Sequence, residues 1–153
     1  MTSRAAARTH RIDTAIDIGA AADCVWRILC DFAGYARWNP FVRAIAGAPE
    51  IGASLVVSLE PPGGRPMRFR PVIVALEPER ELRWKGKLLI PGLFDGEHWF
   101  RLVAHGRTRT TFEHGEQFSG LLVPRFRPAL EDTTRRGFVA MNEALKREAE
   151  RAA

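Results

Sequence analysis

Between Asp95 and Phe118 the side chains alternate so regularly that this stretch reads as two strands joined by a tight turn at Gly106. On the second strand Thr110, Phe112, His114, Glu116 and Phe118 share one face, and Arg109, Thr111, Glu113 and Gln117 share the other. Successive side chains of a strand point to opposite sides of the sheet, so each residue is assigned a face without any structure. The apolar face therefore carries a histidine and a glutamate where a plain core would carry Val or Leu. Buried polar groups are costly without partners. Two of them facing inward predict a cavity behind the sheet in place of a solid core.

The rest of the chain supplies a frame for such a cavity. Residues 11–18 alternate as a half-buried strand, with Ile12, Thr14, Ile16 and Ile18 on one side. Val25, Trp26, Ile28, Leu29 and Phe32 follow at helical spacing, and a second short helical turn ends at Trp38-Asn39-Pro40, because a residue before proline avoids the helical region. A strand near 41–46 precedes a run of antiparallel strands at 53–60, 67–76, 81–88 and 95–118, with a turn at Pro61-Pro62-Gly63-Gly64. Pro71 implies an edge or a bulge in the 67–76 strand. In the 81–88 strand Leu82, Trp84, Gly86 and Leu88 point inward. Pro128 suits the first turn of a final helix reaching about Arg151, with the stripe Leu130, Thr134, Phe138, Met141 and Leu145. Such a helix, about 24 residues long, spans about 36 Å. It is the one element long enough to cover a sheet with one apolar face. The expected class is α+β: an antiparallel sheet of about six to seven strands wrapped around the C-terminal helix, with two short helices after the first strand. Residues 1–10 are expected to be a mobile tail, and 11–153 a single domain.

Composition narrows the function. The 153 residues are 46% hydrophobic and 27% charged, ordinary for one globular domain. The net charge of +5 comes mostly from arginines scattered over outward strand positions, with no nucleic-acid motif, so no nucleic-acid partner is expected; a membrane surface remains open. Cys24 and Cys30 fall on one helix with about 9 Å of rise between them, too far for a disulfide. Reduced thiols, no signal-peptide pattern and no apolar run of membrane-span length point to the cytoplasm. No phosphate-binding loop, dinucleotide fingerprint or nucleophile elbow occurs, and no cofactor is expected.

With a three-residue loop at Gly106, His98 lies across from His114, and Phe100 opposite Phe112. His98, His114 and Glu116 then form a polar cluster among Trp84, Phe112 and Phe118. Three readings stay open: a hydrogen-bonded structural cluster, polar anchoring of a mostly apolar ligand, or general acid/base chemistry by His98, His114 or Glu116. Two histidines and a carboxylate can also bind zinc, but the spacing is that of no recognised metal site, and none is expected. The candidate ligand walls are Trp84, Phe100, Phe112, Phe118, Phe138 and Met141, with His98, His114 and Glu116 as polar contacts. Alternate connections of a meander fall at one end, so the turn at 61–66, the loop 90–94 and the segment 119–127 should cluster. Two of these are apolar for loops, which normally face water. Ile90, Leu93, Phe94, Leu121 and Leu122 are therefore candidate rim residues, as a gate or as a membrane- or protein-docking lip.

These residues also resemble a known group. Val25-Trp26 through Asp31-Phe32, Trp38-Asn39-Pro40, Leu82-Arg83-Trp84, Asp95 to Phe100, Glu113 to Leu121, Asp132 to Phe138 and Met141-Asn142 together look like the START-like superfamily, often called SRPBCC. That is the polyketide cyclase/dehydrase and lipid-transport group. The likeness runs over nearly all of 12–150 in order. It implies a helix-grip fold with a deep hydrophobic cavity, and a function among binding of lipids, polyketides or aromatic compounds and cyclisation or dehydration of such substrates. It carries over no defined catalytic set.

Overall fold

The computed structural model describes residues 8–87 and 90–153. Eight strands form two antiparallel sheets. Strand β1 (Thr9–Ile18) is followed by helix α1 (Ala22–Cys30), a 3-10 turn (Phe32–Gly34) and the short helix α2 (Tyr35–Trp38). Then come β2 (Val42–Ala46), β3 (Val56–Leu59), β4 (Met67–Phe69), β5 (Val72–Glu77), β6 (Glu81–Lys87), β7 (Asp95–His105) and β8 (Arg109–Ser119). The larger sheet has the order β1-β8-β7-β6-β5, and the smaller one β2-β3-β4. This is the expected helix-grip arrangement, with eight strands in two sheets where the pattern suggested six to seven in one. The difference comes from Pro71. Lacking an N–H for the ladder, it splits the expected 67–76 strand into β4 and β5, one in each sheet.

The N-terminal boundary also moves. Thr9 and His10, expected in the tail, already pair with Ser119 and Phe118 in the β1–β8 ladder. Arg8 forms a turn just before them, and residues 1–7 lie outside the described residues, as does Leu88.

The long C-terminal helix starts earlier and is interrupted. Helix α3 (Val123–Ala129) has Pro124 in its first turn, the role expected of Pro128, which instead sits inside it. A π-helical turn (Leu130–Thr134) follows immediately, and α4 (Arg135–Ala152) completes the element. Pro128 has no N–H to return to the preceding turn, which weakens the helical ladder where the wider turn begins. Helix α4 buries Phe138, Met141, Leu145 and Ala149 in one core shared with the large sheet and α1.

Side-chain parity in the sheet is as expected, but the register is not. The loop is three residues, Gly106–Thr108, and the first pair beneath it is His105–Arg109. His98 consequently faces Glu116, and Phe100 faces His114, a two-residue slip from the expected match. Gly106 occupies the first loop position with φ +71°, a conformation glycine accepts without strain. Three inward rows then cross β6, β7 and β8: Leu82–Phe100–His114, Trp84–His98–Glu116 and Gly86–Gly96–Phe118.

Candidate functional site

The last of those rows is where the core becomes hollow. Gly86 and Gly96 pair directly and present bare backbone toward the interior. Above them lies a cavity of about 540 Å³. Trp84, His98, Glu116 and Phe118 form its sheet wall. Leu59, Met67, Phe69 and the loop with Pro61, Arg65 and Pro66 form a second side, and Phe126, Ala129, Leu130, Thr133 and Thr134 a helical roof. Phe41, Lys87 and Phe94 also line it. The π turn thus covers the cavity, while the straight part of α4 sits further along the sheet.

This placement sorts the expected residues into two groups. Trp84, His98, Glu116 and Phe118 line the cavity. Phe100, Phe112, His114, Phe138 and Met141 do not; they are buried in solid core behind it. The reason is where α4 lands. Phe138 stacks on His114 with ring centroids 4.1 Å apart and lies 5.1 Å from His98, so no gap remains between helix and sheet there.

At the rim, only Phe94 of the expected five lines the cavity, packing edge-on against Phe126 at 5.4 Å. Ile90 and Leu121 point out and are 61% and 57% exposed, while Leu93 and Leu122 are half-buried. The two apolar loops are bonded to each other instead: the Leu121 and Leu122 amides donate to the carbonyls of Gly92 and Leu93. Gly120 permits this close approach, since a Cβ there would lie 2.5 Å from the Leu93 carbonyl oxygen.

A directional hydrogen-bond relay ends at the cavity wall. Thr14 Oγ1 donates to the His114 carbonyl at 2.6 Å, so its lone pairs receive the Asn142 amide N–H at 2.9 Å. That orients Asn142 with Oδ1 toward His114 Nδ1, 2.8 Å away, which must carry the proton. Burial, with His98 alongside, holds the His114 pKa well below the ordinary imidazole value, so the ring is neutral and its Nε2 is an acceptor. His98 Nε2 therefore donates to it at 2.8 Å. Burial also pushes His98 down to about 3, leaving its Nδ1 unprotonated. Glu116 Oε2 lies 3.1 Å from that nitrogen, and a hydrogen bond there requires a proton on the carboxyl. Burial supplies the condition by raising Glu116 to about 8. At neutral pH the cavity wall thus presents a carboxylic acid whose O–H is given to His98.

Asn142 and the Gly86–Gly96 pair are missing from the expected site. Asn142 is legible as a polar residue one turn beyond Phe138, next to Met141 of the stripe. The glycine pair becomes visible only once the register of β6 against β7 is known. As for metals, no group of three or more His, Cys, Asp or Glu side chains among the described residues could hold an ion.

The fold is shared with solved structures. An aromatase/cyclase, ZhuI from Streptomyces sp. R1128, is 23% identical with a TM-score of 0.74 over 94% of each chain. A START superfamily protein from Mycobacterium smegmatis is 17% identical with a TM-score of 0.76, covering 94% of this chain and 99% of the other. Norcoclaurine synthase from Thalictrum flavum is 15% identical, with a TM-score of 0.71 over 94% and 96%. At such identities the likeness establishes architecture alone. No functionally curated protein is a significant match. The sequence profile of one family matches residues 9–150, nearly the entire chain, and the protein belongs to that family: polyketide cyclase / dehydrase and lipid transport.

Proposed function

We propose that the protein binds a lipophilic small molecule, a lipid, polyketide or aromatic compound, in the cavity between β6–β8 and the α3–π turn. The observation that carries this is the hollow of about 540 Å³ itself, walled mainly by aromatic and aliphatic side chains, with His98 and Glu116 on the sheet side and Arg65, Lys87, Thr133 and Thr134 also in the lining. Cavities of this size with a few placed polar groups are typical small-molecule sites. A ligand burying about 300 Å² of apolar surface gains about 7.5 kcal/mol at about 25 cal/mol per Å², which is the micromolar range. The family description and the fold support the same reading. Free Cys24 and Cys30 suit a reducing compartment such as the cytoplasm, and among the described residues no helix is long and apolar enough to cross a membrane. Native mass spectrometry of freshly purified protein is expected to show a co-purifying lipophile, or the protein is expected to take up one equivalent of the dye ANS. Protein that carries no lipophile and takes up no dye would reject the proposal.

Glu116 favours a second reading, a cyclase or dehydratase. A carboxyl group neutral at pH 7 at a cavity wall can give its proton to a substrate oxygen when a substrate takes the place of His98 as the partner of its O–H. His114 has no part in such contact, because both its ring nitrogens are bonded and it lies behind the wall. On this reading Glu116→Gln removes turnover while substrate affinity stays within about twofold, since the amide N–H can replace the acid O–H toward His98. Turnover that survives the substitution rejects the enzymatic role.

A further inference from the structure

The relay decides which oxygen of Glu116 a ligand meets. Its proton is committed through Oε2 to His98 Nδ1, so Oε1 is a carbonyl oxygen with free lone pairs. Oε1 lies over Gly96, where a Cβ would come within 2.5 Å of it, so this oxygen has room only because residue 96 is glycine. Among the described residues it receives no hydrogen bond, and the Glu116 side chain keeps 14% of its surface accessible against 4% for His98. Two strands away in the same row, the indole Nε1 of Trp84 has no partner among the described residues either, but it is fully buried and out of a ligand's reach. Its ring stacks on His98 at 5.2 Å, which holds it at the cavity wall. Of the other polar wall groups, Thr133 spends its hydroxyl on the Ala129 carbonyl, and Arg65, Lys87 and Thr134 also line the cavity. On the sheet wall, Glu116 Oε1 is therefore an unfilled acceptor that a ligand can reach. A hydroxyl group can donate to it; a ketone or ether cannot, and a carboxylate would set its lone pairs against those of Oε1.

We propose that the cavity selects lipophiles bearing a hydroxyl group, which donates its proton to Glu116 Oε1. This rests on the lipophile-binding reading and adds the functional group recognised. Glu116 acts here as a specificity residue, held in its acceptor form by His98, His114, Asn142 and Thr14.

The test uses two matched probes, 2-naphthylmethanol and 2-ethylnaphthalene, titrated into wild type, Glu116→Gln and Glu116→Met. The alcohol-to-hydrocarbon affinity ratio cancels the apolar contribution. It is expected to be unchanged in the Gln variant, whose amide donates to His98 and leaves its own carbonyl in place of Oε1. It should drop three- to tenfold in the Met variant, the value of one lost hydrogen bond. A ratio unaltered by Met overturns the proposal and leaves lipophile binding intact. A ratio that falls equally with Gln and Met also overturns it, because recognition would then require the carboxyl and not its carbonyl oxygen. Failure of the folded wild type to bind either probe overturns both readings. Difference infrared spectroscopy on wild type needs no variant: the carbonyl band of protonated Glu116 is expected to move to lower frequency with the alcohol and stay put with the hydrocarbon. An unmoved band with bound alcohol contradicts the proposal.

Discussion

Glu116→Gln is expected to be more stable than the wild type in alkaline solution, by a margin that grows from pH 4.5 to pH 8 and then levels off. The buried carboxyl titrates at about 8 in the folded protein and at its ordinary 4.5 once exposed by unfolding. Between those values the folded chain holds a proton that the unfolded chain has released. The contribution of Glu116 is therefore complete below pH 4.5 and is lost progressively as the pH rises through 8. At about 1.36 kcal/mol per pH unit that span amounts to up to about 5 kcal/mol. Gln has no proton to lose, and its amide keeps the bond to His98. Surface ion pairs such as Arg83–Glu81 titrate alike in both proteins and drop out of the difference. His98 gives the opposite limb: lowered from 6.5 to about 3, it contributes stability above pH 6.5 that disappears as the pH falls toward 3. From these two groups the wild type should be most stable between pH 4.5 and 6.5. Urea melts at half-unit pH steps measure both. A stability difference between wild type and Glu116→Gln that is flat from pH 5 to 9 would show that Glu116 is ionised in the folded state.

Gly86→Leu is expected to empty the site of its ligand while the chain still folds. Residue 86 points into the hollow, and a Cβ there meets Phe69 at 3.3 Å, close enough that the ring must yield by a few tenths of an ångström. The rest of a leucine side chain then occupies space that a ligand needs. Filling a cavity in this way costs about 1–3 kcal/mol when the fit is poor. Probe affinity should fall at least about a hundredfold, since losing half of about 7.5 kcal/mol of apolar burial already exceeds that. Circular dichroism and a probe titration on the same sample separate the two effects. A folded Gly86→Leu protein that binds 2-ethylnaphthalene as tightly as wild type would place the ligand elsewhere.

Face assignment was legible in the sequence because a period of two survives any error in the turn. Moving the three-residue loop by one position, from 105–107 to 106–108, slipped the register by two residues and left every inward side chain inward. The same periodicity could not separate wall from core. Phe100, Phe112 and Phe118 are equivalent by alternation, yet only Phe118 borders the hollow. What distinguishes them is where Phe138 of α4 descends onto His114, a tertiary contact with no local signature. The break in the final helix was hidden for a related reason. Pro124 and Pro128 both suit a first turn, and the intervals of three and four along the apolar stripe do not reveal a π turn. Of the rim candidates Phe94 borders the hollow, while Ile90 and Leu121 face outward where Gly120 lets the two loops bond to each other.

A crystal of the protein soaked with 6-bromo-2-naphthylmethanol tests the central idea most directly, through the anomalous signal of bromine. The account predicts one strong peak inside the hollow, above the Gly86–Gly96 backbone, with the ligand hydroxyl against Glu116 Oε1. A peak only on the outer face of the sheet, or a hollow closed by collapse of the α3–π roof onto Trp84 and Phe118, would contradict it.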